Sequence, residues 1–241
     1  MTIMCSAESP NQPEIIIAVL AILLTLVFFL IYKRGKSTRR SILLTGICDS
    51  GKTLIFSQLV HKKYVQTYTS IKDNVGGFLI DNVFLKVVDI PGHERLRYKF
   101  FDEHKSAARG IVFVVDSLTF QQDLKDVAEY LYNILSDDVL AKNKTKFLIL
   151  CNKQDQTLAK GSNAIKSILE KELNTLRVTK SRQVESVDPK TSKTSVLGEH
   201  GRDFSFQNFS LNIEFAESFG NHNKDGTNDI DQLVKWLLKI A

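Results

Sequence analysis

Gly46-Ile47-Cys48-Asp49-Ser50-Gly51-Lys52-Thr53 fits the pattern G-x-x-x-x-G-K-[ST]. Chemistry on a chain of phosphates needs this combination. The glycines let a loop wrap close to the phosphates with its N–H groups pointing inward. The lysine supplies a reaching positive charge to the β- and γ-phosphates, and the final hydroxyl can ligate Mg²⁺. A helix that opens at Lys52 adds the partial positive charge of its N-terminus at Thr53 and Leu54. Further on, Asp89-Ile90-Pro91-Gly92 closes an apolar run. There an aspartate can hold Mg²⁺ through water while the Gly92 N–H meets a γ-phosphate. Asn152-Lys153-Gln154-Asp155 follows another apolar run. The Asp155 carboxylate can accept two hydrogen bonds, from N1–H and the 2-amino group of guanine. Adenine offers neither donor on that edge, so it would leave the carboxylate unpaired at a cost of several kcal/mol. Asn152 is expected to brace the loop and touch the base, and the aliphatic stem of Lys153 to lie along its face.

These residues work only if regular elements hold them. The apolar runs Ser41–Thr45, Gly77–Ile80, Val83–Asp89, Gly110–Val115, Lys146–Cys151 and Leu211–Phe215 read as strands. Between them lie helix patterns at about 52–63, 94–106, 120–136, 162–175 and 228–240. In one of these, Leu124, Val127, Ala128, Leu131, Ile134 and Leu135 form a stripe at helical spacing. Alternation of strands and helices, with near-continuous apolar strands, predicts an α/β domain whose mainly parallel sheet is covered on both faces. Asp81-Asn82 separates two runs by two residues, a hairpin signal that makes one edge strand antiparallel. Residues 177–205 are rich in Ser, Thr and charge, and read as a mobile surface insertion.

The chain has 241 residues, 43% of them apolar and 24% charged, with 12 Gly, 4 Pro and 3 Cys. That composition excludes collagenous, proline-rich and disulfide-stapled classes. The net charge of +5 comes mostly from Lys33, Lys36, Arg34, Arg39 and Arg40. A short basic cluster is not a nucleic-acid-binding face, so no sequence-specific nucleic-acid partner is expected. Just before the cluster, Ile15–Tyr32 is an apolar run of eighteen residues. As a helix it covers about 27 Å, close to the hydrocarbon core of a bilayer. Basic residues follow this run and none precedes it, so the positive-inside rule places residues 33–241 in the cytosol. The expected organisation is a lumenal segment at 1–14, a single-pass anchor at 15–32, a basic linker at 33–40 and a soluble domain at 41–241. In a reducing compartment Cys48 and Cys151 are expected to be free thiols.

The three motifs, in this order and each at the end of a strand, resemble the Ras-like small GTPase superfamily. Within it the chain is similar to the beta-subunit family of the signal recognition particle receptor. The likeness runs from the apolar segment to the C-terminus, through GICDSGKT, DIPGHERLR, GIVFVVDS followed by DVAEYLY, CNKQD, LEKELNTLRVT and WLLKIA. It implies a P-loop small-GTPase fold with a six-stranded sheet, and GTP or GDP with Mg²⁺ as ligands. It also implies a place in the endoplasmic reticulum membrane and a peripheral alpha subunit as heterodimer partner, with the ribosome or translocon as further contacts. By the same resemblance a switch segment, Thr67-Tyr68-Thr69-Ser70, covers the nucleotide. Its metal-facing hydroxyl falls at Ser70, with Thr69 as second choice. His93 stands where Ras-like enzymes carry the glutamine that orients the attacking water, and a structural histidine at a helix start fits that position equally. Hydrolysis by the chain alone is therefore expected to be slow or partner-dependent. The usual Ser-Ala-Lys contact to guanine O6 is replaced by Glu217-Ser218-Phe219-Gly220-Asn221, where position favours the Gly220 N–H and Ser218 is the alternative. The competing reading is an Arf-like GTPase of vesicle traffic. Thr2 in place of a myristoylated glycine, together with the long apolar run, counts against it.

Overall fold

The computed structural model describes residues 20–29, 39–186, 197, 203–220 and 229–241. The chain divides into two units, Met1–Thr38 and Arg39–Ala241. In the first, residues 20–29 are helical, with exposed apolar side chains that include Leu24 and Phe28. Among the described residues no helix is long and apolar enough to cross a membrane. The rest of the predicted anchor, 15–19 and 30–32, lies outside the described residues.

The second unit is a six-stranded sheet flanked by helices. In chain order the elements are β1 Ser41–Thr45, α1 Lys52–His61, β2 Asn74–Ile80, β3 Val83–Asp89, α2 Glu94–His104, β4 Ala108–Asp116, α3 Leu124–Leu135, α4 Asp138–Asn143, β5 Lys146–Asn152, α5 Ser162–Ser186, β6 Ile213–Glu217 and α6 Asp231–Ile240. Strand order is β2-β3-β1-β4-β5-β6. Every neighbouring pair is parallel except β2 with β3. That hairpin turns at Asp81 and Asn82, whose φ values of 44° and 62° are both positive, as a turn matching the twist of the strands requires.

The alternation of side chains along the parallel strands divides the core in two. Leu43, Ile111, Phe113, Phe147 and Ile149 face α3 and α5. Ile42, Leu44, Val112, Leu148 and Leu150 face α1 and α6. Because both faces are covered, β1 is buried at all five positions. Every crossover then delivers its loop to one end of the sheet, where β1, β3 and β5 finish.

Four elements differ from the sequence reading. β2 begins at Asn74 rather than Gly77, because pairing with β3 extends the hairpin through two glycines. β6 lies two residues later than expected, at Ile213–Glu217. α4 was not expected at all. It is a short helix started by Asp137, whose Oδ1 accepts from the N–H groups of Val139 and Leu140. The expected insertion at 177–205 is, in its first part, a continuation of α5 to Ser186. That extension rests on α3, where Lys180 Nζ donates to Asn133 Oδ1 at 2.7 Å and lies 4.5 Å from the Tyr132 ring centre. The returning chain is likewise docked. Phe204 N donates to Asn174 Oδ1 and Phe206 N to Glu170 Oε1, and both phenyl rings are buried. Residues 187–196 and 198–202 lie outside the described residues.

Candidate nucleotide site

The phosphate loop leaves β1 at Gly46 and enters α1 at Lys52. Gly51 caps the helix at φ +90°, where a β-carbon would also strike the Asn152 amide. Inside the loop, Ser50 Oγ donates to Ile47 O at 3.0 Å. Lys52 Nζ is turned onto the same carbonyl at 2.6 Å and onto Ser50 Oγ at 3.3 Å. Lys52 is only 5% exposed. Burial pulls its ammonium down to about 8, against the opposing attraction of Asp89. The amine is thus held inside the loop by neutral oxygen acceptors.

Asp89 ends β3 beside this loop. Thr53 donates its hydroxyl proton to Asp89 Oδ2 at 2.8 Å, and Ser70 Oγ lies 3.3 Å from Thr53 Oγ1. The three residues expected to hold the metal therefore converge, although 17 and 36 positions separate the other two from Thr53. Asp89 is fully buried, its Oδ1 has no partner, and burial raises its carboxyl above the ordinary range. A hydroxyl pair with one orphaned carboxylate oxygen suits Mg²⁺, which keeps several waters and takes few protein ligands. Among the described residues no three His, Cys, Asp or Glu side chains cluster as a metal cage.

Cys48, Asp49, Gly51, Lys52 and Thr53 line one pocket with Thr67, Tyr68, Thr69, Ser70, Ile90 and Gly92. Gly92 is indispensable in its place, since a β-carbon would lie 2.6 Å from Cys48 N. His93 does not line the pocket. It is an exposed N-cap of α2 whose Nδ1 accepts from Arg95 N at 3.3 Å.

The predicted base contacts gather at the ends of β5 and β6, outside that pocket. Asn152 is buried and braces the loops, donating to Ser50 O at 2.9 Å and accepting from Ser218 Oγ at 3.2 Å. Lys153, at φ +65°, extends to Asp116 Oδ2 at 2.6 Å. Asp155 is exposed and accepts only from Gln156 among the hydrogen bonds described here. Gly220 sits against Leu54 of α1. Between the two candidates for the O6 contact, Ser218 is the residue built into the loop. Its N–H donates to Cys151 O, and its carbonyl accepts from Gln154 N. Sequence reasoning missed Asn74, whose Nδ2 donates to Asp89 Oδ2 at 3.0 Å. It also missed Arg97, buried on the Tyr130 ring and paired through both Nη atoms with Asp126. Cys48 and Cys151 are free thiols, and burial pushes Cys151 up to about 12.

The family model described as "Signal recognition particle receptor beta subunit" matches residues 37–213. The chain belongs to that family. The Homo sapiens signal recognition particle receptor subunit beta is 46% identical over 237 residues, which cover 96% of this chain and 88% of that protein. A solved structure of the mammalian signal recognition particle receptor contains a chain 44% identical, superposing with a TM-score of 0.74 over 84% of this chain and all of that one. A Chaetomium thermophilum SRb-GTP/SRX complex, 21% identical with a TM-score of 0.63 over 84% of this chain and 99% of that one, shares the fold. Family membership supports the receptor beta-subunit role and sets aside the Arf-like traffic reading.

Proposed function

We propose that this receptor beta subunit is a GTP-controlled anchor that holds the alpha subunit at the endoplasmic reticulum membrane. In this reading residues 15–32 span the bilayer once, the basic residues from Lys33 to Arg40 stay cytosolic, and the sheet domain projects into the cytosol. The ribosome or translocon would be a further contact of that domain. The observation that carries the reading is the approach of Ser70, on the switch segment, to Thr53 beside Asp89. One cluster thus joins the phosphate loop, the metal carboxylate and a surface loop.

Each part has a task in binding. The loop N–H groups from Asp49 to Leu54 and the Lys52 ammonium neutralise phosphate charge. Thr53 and Ser70 would ligate Mg²⁺ directly and Asp89 through water, and the bound ion would screen the β- and γ-phosphate oxygens. Asp155 selects guanine, and Asn152 keeps the selecting loop against Ser50 O. With His93 turned to its own helix, hydrolysis waits for a partner to move the ring or supply another group.

The switch surface has the character of a docking site. Tyr68 is 81% exposed and Ile71 76%, and Leu79 and Phe84 stand out from the edge hairpin that follows. Exposed apolar residues on consecutive elements mark a protein-binding face. γ-Phosphate contacts that fix Ser70 and Gly92 would fix this face. The Chaetomium thermophilum SRb-GTP/SRX complex motivates the choice of partner. The test is a calorimetric titration of the alpha subunit into GTP-loaded and GDP-loaded protein. The expected preference for GTP is about 5- to 150-fold, the usual span of an allosteric coupling. Equal affinities would make the domain a constitutive scaffold.

A further inference from the structure

Asp89 has two carboxylate oxygens with unequal surroundings. Oδ2 takes the Thr53 hydroxyl at 2.8 Å and the Asn74 amide at 3.0 Å, while Oδ1 is buried with no partner. A threonine hydroxyl has one proton and two lone pairs, so it can give its proton to Asp89 and still offer a lone pair to a cation. Thr53 cannot by itself fix the carboxylate, because a single bond leaves the plane free to turn. The second donor comes from the opposite strand. Asn74 is the first residue of β2, and the antiparallel register puts it across from Asp89. Its neighbour Asp73 is tied to the far end of α2, with Asp73 Oδ2 2.8 Å from His104 Nε2. The entry to β2 is therefore pinned on both sides, and the Asn74 amide has little room to leave.

We infer that Asn74 is a positioning residue for the metal site, loading Asp89 Oδ2 so that Oδ1 remains the acceptor for a metal-bound water. The inference rests on reading Thr53, Ser70 and Asp89 as the Mg²⁺ site. Without the Asn74 donor the carboxylate plane turns about its Cβ–Cγ bond, and the free oxygen leaves the position in which it accepts from a metal-bound water. Removing Asn74 should weaken Mg²⁺ retention without touching the contacts that hold the nucleotide itself.

The experiment follows release of a fluorescent GDP from wild type, Asn74→Ala and Asn74→Asp, in EDTA and across a Mg²⁺ titration. In EDTA all three should release GDP at rates within about twofold, which also shows that the variants fold. The Mg²⁺ concentration that half-suppresses release should rise about tenfold in Asn74→Ala, the size expected for one lost hydrogen bond to a charged acceptor. It should rise further in Asn74→Asp, which keeps the shape but sets a like charge against Asp89. An unchanged midpoint in both variants overturns the inference, as does an equal shift of the EDTA and Mg²⁺ rates, because a merely structural asparagine would act on both. A midpoint for Asn74→Asp that matches wild type overturns it too. If wild-type release ignores Mg²⁺, the metal reading itself fails and takes the inference with it.

Discussion

At the phosphate end, Lys52 and Asp89 are buried, Thr53 and Asn74 donate to one carboxylate oxygen, Ser70 lies against Thr53, and Gly92 presses on the loop backbone. At the base end only the supports are so placed. Asn152 and Ser218 are buried and bonded to each other, but Asp155, the residue that would choose the base, stands exposed. The contrast reflects the cost of each task. Phosphate and metal charge must be met by groups already oriented, because reorienting them at binding would consume much of the Coulombic gain. A carboxylate that selects by hydrogen bonding need only be rigidly carried, since its partners arrive with the base. Binding strength should therefore reside at the first end and selectivity at the second, and mutations can break that division.

The largest effect is expected at Lys52. Lys52→Met keeps most of the side-chain volume but removes two or so charge-assisted bonds to phosphate, about 3–6 kcal/mol, so GTP and GDP affinity should fall at least about a thousandfold. The empty domain should gain stability, because burial disfavours the Lys52 ammonium more than Asp89 attracts it. Fluorescence titration and a thermal melt measure the two. A variant that binds normally would move the strength of the site elsewhere.

Next comes pH. Lys52 has a folded-state value of about 8 against 10.5 for the free side chain. The charged form is disfavoured by folding, so the penalty is present below about pH 8 and is relieved as pH rises toward 10.5. Nucleotide binding runs the other way. Phosphate favours the ammonium, so above pH 8 binding must take up a proton, and affinity should drop about tenfold between pH 7 and pH 9. Calorimetry in buffers of different ionisation heat should show that uptake. Flat affinity over this range would mean that Lys52 stays charged without its ligand.

The smallest effect should come from the base end's support. Ser218→Ala removes one donor from Asn152 Oδ1, worth about 1 kcal/mol, or roughly fivefold in affinity. Because the base is common to both nucleotides, GTP and GDP should lose by the same factor. A loss confined to GTP would show that the two ends are coupled.

Much of this contrast could be read from the residues. β1 has the bounds its apolar run suggests, because a strand buried on both faces must be apolar throughout and polar residues mark its ends. β3 also keeps its expected bounds, although Phe84 is exposed. Thr53, Ser70 and Asp89 meet as expected, since loop–helix and strand-end positions constrain backbone as well as side chain. Asn74 carried no motif, yet it could have been found by counting outward from the Asp81-Asn82 turn, which pairs Ile80 with Val83 and eventually Asn74 with Asp89. The extension of α5 past residue 175 had no such signal. Its stripe of Ile165, Leu169 and Leu173 runs on only to Leu176, and farther along Lys180 makes lateral contact with α3, a tertiary effect. The return of Phe204 and Phe206 to the core was hidden by polar neighbours. Spacing alone likewise did not reveal that the Ser218 N–H and hydroxyl are bonded to Cys151 O and Asn152 Oδ1.

The division between strength and selection is tested most directly by competing GTP, ATP and xanthosine triphosphate against a fluorescent nucleotide on wild type and Asp155→Asn. Wild type should prefer GTP. Exchanging the carboxylate for an amide turns one acceptor into a donor, which suits the 2-oxo group of xanthine, so the variant should lose GTP at least about a hundredfold and gain xanthosine triphosphate. Its overall affinity for the matched nucleotide should stay near that of wild type, because the phosphate end is untouched. Unchanged GTP preference in Asp155→Asn, or equal loss of all three nucleotides, would contradict the account.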